Sequence, residues 1–530
     1  MRVRYSELGI EVKSEQPFIF AKEGNCWLLL SFQEKSRYFG FFFFDGENAY
    51  RIISEIDFHF VPEIIFVHNP RHYVLMSEKR RVHLHIDKDG FSIVQSGNFP
   101  IRLAFDNRKI FETKMSGQVS FQQIDEQKIK TIWMREGNIL SEGVFFSKGK
   151  IRFLNFWQKE KMSFDEKRNS PPYEFENFYG LEFETDYLSF KIEKPNLPPS
   201  LYHQFLPSTE NPFMNFVITR INHLFFNSYL PAGFPWFFER WYRDELICFW
   251  FLRKFLDEEK LTNLLTYYLN LKEEEIFLSK RNGILAADVP LWLINLVPED
   301  VLKEFKFHFD HIFQKWLEKF YFQSSIKLPP KATWMDTLAR EDPIEISALF
   351  IKASSRLGYK KLALKEKERL QSRLFKVIDD KLNPEEELEI CRPNIFLVYQ
   401  LLPKLFWPLV WRSIIFKIIE KIKLPWGGFS SAPQNHKDFY WVHTGEDSRS
   451  YHQGDSWHFL NALGAKTLFE LKEDKLAKKT MDALNKEILT LGALGYISEL
   501  SSARKEESQG ALIQTWSMCS FLDLLSTTFS

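Results

Sequence analysis

Three runs in the last two-thirds of the chain set acids among tryptophans: PWFFERWYRDEL (235–246), KATWMDTLAREDPIEISAL (331–349) and YHQGDSWHF (451–459). ISEL and QTWS follow near the C-terminus. Indole faces stack on the apolar faces of a pyranose, while carboxylates, amides and guanidinium groups take its hydroxyls. Cleaving an acetal needs a carboxylic acid to protonate the departing oxygen and a carboxylate to activate water or attack the anomeric carbon. Asp244, Asp336, Glu345 and Glu499 are the candidates. Acids are common and singly serve more often as solvated or helix-capping residues, so only the constellation carries weight.

The neighbouring side chains divide into binding candidates and competitors. Arg243 and Asp244 can clamp sugar hydroxyls or close the start of the helix that follows. Glu345 stands two residues after Pro343, where N-terminal helix stabilisation competes with substrate binding. Arg392, before Pro393-Asn394, either orients an acid or ties a loop to a helix start. Trp236, Trp241 and Trp334 offer rings, and Tyr451, His452 and Gln453 offer an aromatic face with donors and acceptors. Trp457 is balanced between pocket and core, Gln514 can reach a sugar or hold Glu499, and Trp516 reads as core.

Composition narrows the classes. At 530 residues the chain exceeds one ordinary core, so two domains are expected. Lys plus Arg and Asp plus Glu both number 70, which leaves no electrostatic footprint for nucleic acid or an anionic membrane. The 54 Phe imply large aromatic cores. Four scattered cysteines without CxxC spacing indicate neither a disulfide framework nor a zinc site, and a reducing compartment is expected. The polar start MRVRYSELGIEVKSE and the shortness of the apolar runs lead to a cytoplasmic expectation. His83 with His85 and His308 with His311 lack a third ligand, and no Gly-rich phosphate loop occurs, so neither metal nor cofactor is expected.

The periodicity changes once along the chain. Over residues 1–198 the alternation of Val82, Leu84 and Ile86 with His83 and His85, and the turns Asp45-Gly46 and Asp89-Gly90, predict many short antiparallel strands and a β-sandwich. The Pro-rich segment 194–213 reads as a junction. Over 199–530 apolar residues recur at three and four spacing in segments 244–256, 259–271, 299–320, 344–357, 361–381, 409–423, 456–471, 474–490 and 510–526. Roughly a dozen helices suggest a paired-helix toroid.

In their order these strings resemble the glucosidase half of glycogen debranching enzymes, the amylo-α-1,6-glucosidase family. Thr333-Trp334-Met335-Asp336 is similar to its TWMD, Pro343-Ile344-Glu345-Ile346 to its PVEI, Arg392-Pro393-Asn394 to its RPN, and Tyr451-His452-Gln453-Gly454 with Trp457 to its YHQGxxW. Pro235-Trp236-Phe237 and Trp241-Tyr242-Arg243-Asp244 resemble PWF and WxRD, and Glu499-Leu500 with Gln514-Thr515-Trp516-Ser517 resembles the terminal EL and QxWS. The resemblance implies an (α/α)6 barrel behind a β-sandwich, an inverting mechanism with Asp336 as general acid and Glu499 as general base, and an α-glucan or oligosaccharide substrate.

Local setting agrees with those roles. Trp334 and Met335 would keep Asp336 protonated, while Ser501, Ser502 and the run ARKEES would give Glu499 a wetter site and keep it ionised. Tyr242, commonly Gly in the relatives, is expected to narrow or reshape the pocket. The alternatives are an exo-acting glucoamylase or trehalase-like enzyme and a non-catalytic carbohydrate-binding protein.

Overall fold

The computed structural model describes residues 1–115, 117–193, 205–226, 229–323 and 325–528. They group into two compact units. The first takes in the described residues of Met1–Gln204, Ser208–Asn227 and Ile488–Tyr496, and the second those of Phe205–Pro207, Ser228–Glu487 and Ile497–Ser530.

The first unit is built on fifteen strands joined in one hydrogen-bonded network. Pairing is antiparallel except where Arg2–Tyr5 runs parallel to Ile64–Asn69. Two 20-residue strands, Gly90–Lys109 and Glu174–Glu193, pair with each other. Across the register shift at Val94/Phe99 both exchange their other partner, the first passing from Arg81–Asp87 to Ala49–Asp57 and the second from Asn138–Ser147 to Lys150–Lys161. One long strand pair thereby joins the strands into a continuous sheet. The phenylalanines do what composition suggests. Phe41 packs edge-on against Phe91 and Phe190, and Phe145 stacks on Phe190 with centroids 4.4 Å apart. The Pro-rich junction is only partly in view, since 194–204 lie outside the described residues. Its end at 212–213 is helical: Pro212 supplies a pre-set φ, and the Asn211 side chain accepts from the N–H of Phe213 and Met214, opening a helix that alternation of polar and apolar residues did not reveal.

Helices of eight or more residues are labelled in chain order: α1 (Pro212–Leu224), α2 (Tyr242–Leu252), α3 (Glu258–Leu269), α4 (Asp288–Leu296), α5 (Lys306–Phe320), α6 (Ile344–Leu357), α7 (Lys360–Ile378), α8 (Asn394–Leu401), α9 (Pro408–Ile422), α10 (His458–Glu470), α11 (Asp474–Thr490) and α12 (Thr515–Thr528). In the second unit α2 packs on α4, α4 on α6, α6 on α8, α8 on α10, α10 on α12, and α12 back on α2. This closed ring is the inner layer of an (α/α)6 barrel. Every residue of α2 and α4 is buried, so these helices carry no polar face.

The helices between them in sequence are amphipathic. In α7 only Ala363, Glu366, Leu370, Leu374 and Val377 are buried, a single stripe at three and four spacing, and α7 packs that stripe on α6. Leu370 and Leu374 each contribute about 1.5–3 kcal/mol by burial, so Leu370→Asp would strip α7 from the ring. Each inner helix is reached through a loop, and the acids and tryptophans of the sequence lie in those loops or in the first helical turn.

Candidate active site

Arg243 and Asp244 occupy the first turn of α2, Asp288 opens α4, Asp336 lies in the loop before α6, Tyr451 and Trp457 precede α10, and Gln514 and Trp516 flank the start of α12. Two short ladders hold these loops in register. Gly233–Phe234 pairs with Ile513–Gln514, and Ser456–Trp457 pairs with Leu500–Ser501, which sets Glu499 next to the loop that carries Tyr451.

These elements enclose a cavity of about 170 Å³. Drug-sized ligands occupy ~300–1,000 Å³, so this one suits a single sugar ring. Asp336 and Glu499 both line it, with Asp244, Arg243, Trp241, Trp334, Tyr451, Trp457 and Gln514. Phe237, Thr337, Glu446 and Trp516 complete its walls with Ala232. Trp334 meets Trp457 edge-on at 5.2 Å, so its wall is a rigid aromatic corner. Trp516 therefore reaches the cavity as well as stacking on Phe459, which sequence reasoning left in the core.

Glu499 is 2% exposed, whereas the Asp336 side chain retains 28%. The expected contrast is reversed: the serines after Glu499 turn to their own loop, Ser501 Oγ donating to the Glu507 carbonyl, and leave the acid dry. The Tyr451 hydroxyl donates to Glu499 Oε1 and the Ala511 N–H to Oε2 at 3.0 Å. Burial, with the nearby charge of Glu446, pushes the Glu499 carboxyl well above its ordinary range, against the pull of those two donors. Gly510 presses the chain onto it: at φ +65° a Cβ there would stand 2.2 Å from Glu499 Oε2.

Arg243 pairs with Asp288 rather than with its neighbour Asp244. Its Nε donates to Asp288 Oδ2 at 2.7 Å, and Nη1 lies 3.7 Å from Asp336 Oδ2. Burial raises the Asp336 carboxyl, and Arg243 works against that rise. Asp244, 7% exposed, is pushed up to about 7 by burial, with Arg243 opposing and Asp336 reinforcing. Asp288 was invisible in sequence because it opens a wholly buried helix with no period to frame it.

Other candidates stand behind the cavity. His452 is buried beneath it, its ring stacked on Trp457 at 5.0 Å and Nδ1 2.7 Å from Thr337 Oγ1; burial holds it far below the usual imidazole range, hence neutral. Arg392 donates to the carbonyls of Ser431 and His452, fixing that loop instead of touching the cavity. Glu345 is bound bidentately by Arg340, and burial is more than offset, so its carboxyl lies below the ordinary range. Gln453 donates to the Ser448 carbonyl, and Trp236 is buried with its ring 6.3 Å from Phe237. None of these five is a wall residue. Tyr242 does not narrow the cavity either: its ring packs on Tyr267 and Tyr268 and its hydroxyl meets that of Tyr267 at 3.1 Å.

Among the described residues no group of three or more His, Cys, Asp or Glu is placed to hold a metal ion, and no helix is long and apolar enough to cross a membrane.

Residues 330–523 match the amylo-alpha-1,6-glucosidase family model. The match begins just before Asp336 and runs past Glu499 and Trp516, and the PWF and WYRD strings precede it. Over these residues the chain is similar to the amylo-alpha-1,6-glucosidases, a group of glycoside hydrolases. No curated protein matches the chain. Among solved structures, a GH63 mannosylglycerate hydrolase from Thermus thermophilus in complex with Tris is 10% identical, covering 59% of this chain and 99% of its own at a TM-score of 0.42. An uncharacterized conserved protein from Thermus thermophilus is 11% identical over 59% of this chain and 99% of its own, at 0.42. The GH63 mannosylglycerate hydrolase from Thermus thermophilus in complex with glucose is 10% identical over 60% of this chain and 100% of its own, again at 0.42.

Proposed function

We propose that the chain is an inverting α-glucosidase that removes single glucose units from α-1,6 branch stubs of glycogen or malto-oligosaccharides. The observation that carries this reading is the meeting of Asp336 and Glu499, from loops far apart in sequence, in one aromatic cavity the size of a hexose. Asp336, its carboxyl raised by burial, protonates the departing oxygen as general acid. Glu499 takes a proton from a water that attacks the opposite face of the anomeric carbon; an inverting pair stands ~6.5–9.5 Å apart to admit that water. Trp241, Trp334 and Trp457 stack on the sugar, and Asp244, Arg243 and Gln514 take its hydroxyls.

Arg243 also keeps Asp336 oriented, with Asp288 anchoring the guanidinium. Burial works against ionisation of Glu499, so catalysis requires a pH above the ordinary carboxylate range. The small volume of the cavity supports exo action on a chain end. Proton NMR of the first turnover on isomaltose-type, maltose-type and trehalose substrates tests the reading: β-glucose is expected, fastest from the α-1,6 linkage. Release of α-glucose would overturn inversion, and preference for trehalose would overturn the substrate.

A further inference from the structure

A groove lies beside the cavity, walled like it by the loops that lead into α6 and α10. Its volume is about 950 Å³ against about 170 Å³ for the cavity, room for a run of sugar units where the cavity admits one. The partition between them is thin. Thr337 lines the cavity and Leu338 the groove, their Cα atoms one peptide or ~3.8 Å apart. Tyr451 lines the cavity and Gln453, two residues on, the groove. Between those two stands His452, whose Nδ1 meets Thr337 Oγ1 at 2.7 Å.

The walls of the groove are pinned to one another. Arg340 Nε donates to Glu389 Oε2 at 3.0 Å and Asn435 Nδ2 to Glu387 Oε1 at 3.2 Å, so the groove is preformed and spares a ligand the cost of ordering it. Open polar groups remain in it. Asn435 and Lys437 are exposed and Gln453 is half-buried. Among the described residues no bond takes Lys437 Nζ or the amide oxygens of Asn435 and Gln453. Leu338 and Leu388, both half-buried, add apolar surface to the same walls.

We propose that this groove holds the α-1,4-linked main chain that carries the stub, so that the enzyme selects a glucose on a branched glucan over the same linkage in a disaccharide. This rests on the glucosidase reading of the cavity. Asp336 gives its proton to the departing oxygen, so the departing chain lies on its side. The groove begins two residues after Asp336, and among the described residues none of its walls comes from the loop after Glu499. Charge selects a neutral ligand. Six carboxylates against four Lys and Arg side chains oppose phosphates and nucleotides. Asp342, Glu386, Glu387 and Glu389 are already paired with Lys or Arg, which leaves little for a polycation. Sugar hydroxyls donate to the open amide oxygens and accept from Lys437 Nζ, with C–H faces on the two leucines.

Steady-state kinetics on isomaltose and on a maltotetraose bearing one α-1,6-linked glucose test this, with titration calorimetry of unbranched maltotetraose on the full chain carrying Asp336→Asn. The branched substrate is expected to show kcat/KM about tenfold or more above isomaltose, expressed in KM. Ala339→Trp, an exposed change that fills the groove, should erase most of that advantage and weaken maltotetraose about tenfold. The double variant Asn435→Ala/Lys437→Ala should act in the same direction to a smaller degree. Equal kcat/KM for the two substrates, or an advantage that survives both variants, overturns the proposal and leaves α-1,6 hydrolysis standing. No turnover of either substrate, with maltotetraose binding still lost in Ala339→Trp, removes the barrel activity and leaves the groove as a glucan site.

Discussion

Asp106 in the sheet and Asp244 in the barrel are both almost fully enclosed, yet their carboxyls move in opposite directions. Burial pushes Asp106 up, but Arg51 and Arg108 more than offset it, each donating through Nε at 2.7 Å, and the group is held below the ordinary range. Burial pushes Asp244 up to about 7, and its adjacent Arg243 is engaged elsewhere, with Asp288. At Asp106 the sheet thus spends its buried charge on structure. The barrel keeps a cluster of acids around one guanidinium, which is unfavourable for folding and useful for moving protons.

The largest test of that contrast is at the reacting groups. Asp336→Asn or Glu499→Gln should each lower kcat about 10²–10⁴-fold with the circular dichroism spectrum unchanged. Retained turnover in either variant would remove that residue from the mechanism. Asp106→Asn should lower stability by about 3–5 kcal/mol in urea titrations, since two buried guanidinium groups lose their partner. Its contribution is present above the ordinary carboxylate pKa and fades as pH falls through the depressed one.

Asp244→Asn should do the reverse. A folded pKa raised from 3.8 to about 7 makes stability fall as pH rises between those values, so the variant should be more stable at pH 8, by ~1–3 kcal/mol, while kcat/KM drops. A variant less stable at pH 8 would erase the distinction between the two acids. Glu446→Gln removes a charge that holds the Glu499 carboxyl high, so the acidic limb of kcat against pH should move to lower pH. A limb that stays in place would free Glu446 of that role.

The amphipathic outer helices could be read directly: the stripe of Leu370, Leu374 and Val377 in α7 is a period, and a period survives in sequence. The inner helix α4 left no such mark because every residue of it is buried, and with α4 went Asp288. Asp336, Glu499 and the tryptophans were found by their company in short strings. The polarity around Glu499 was misjudged because serine side chains spend their hydroxyls on their own turn, which composition does not reveal. Glu345 and Arg392 stay divided in sequence between a sugar contact and a structural tie because an ion pair or a carbonyl clamp uses the same residue types as a hydroxyl clamp.

The segment Ile488–Tyr496 belongs to the sheet unit, where the Leu489 carbonyl accepts from Tyr5 OH and the Gly492 carbonyl from the Phe18 N–H. Tyr5 and Leu489 stand 484 positions apart. The β-rich unit is therefore unfinished until that distant piece of chain is added, and a truncation before residue 488 should yield an aggregating product rather than a free-standing first half.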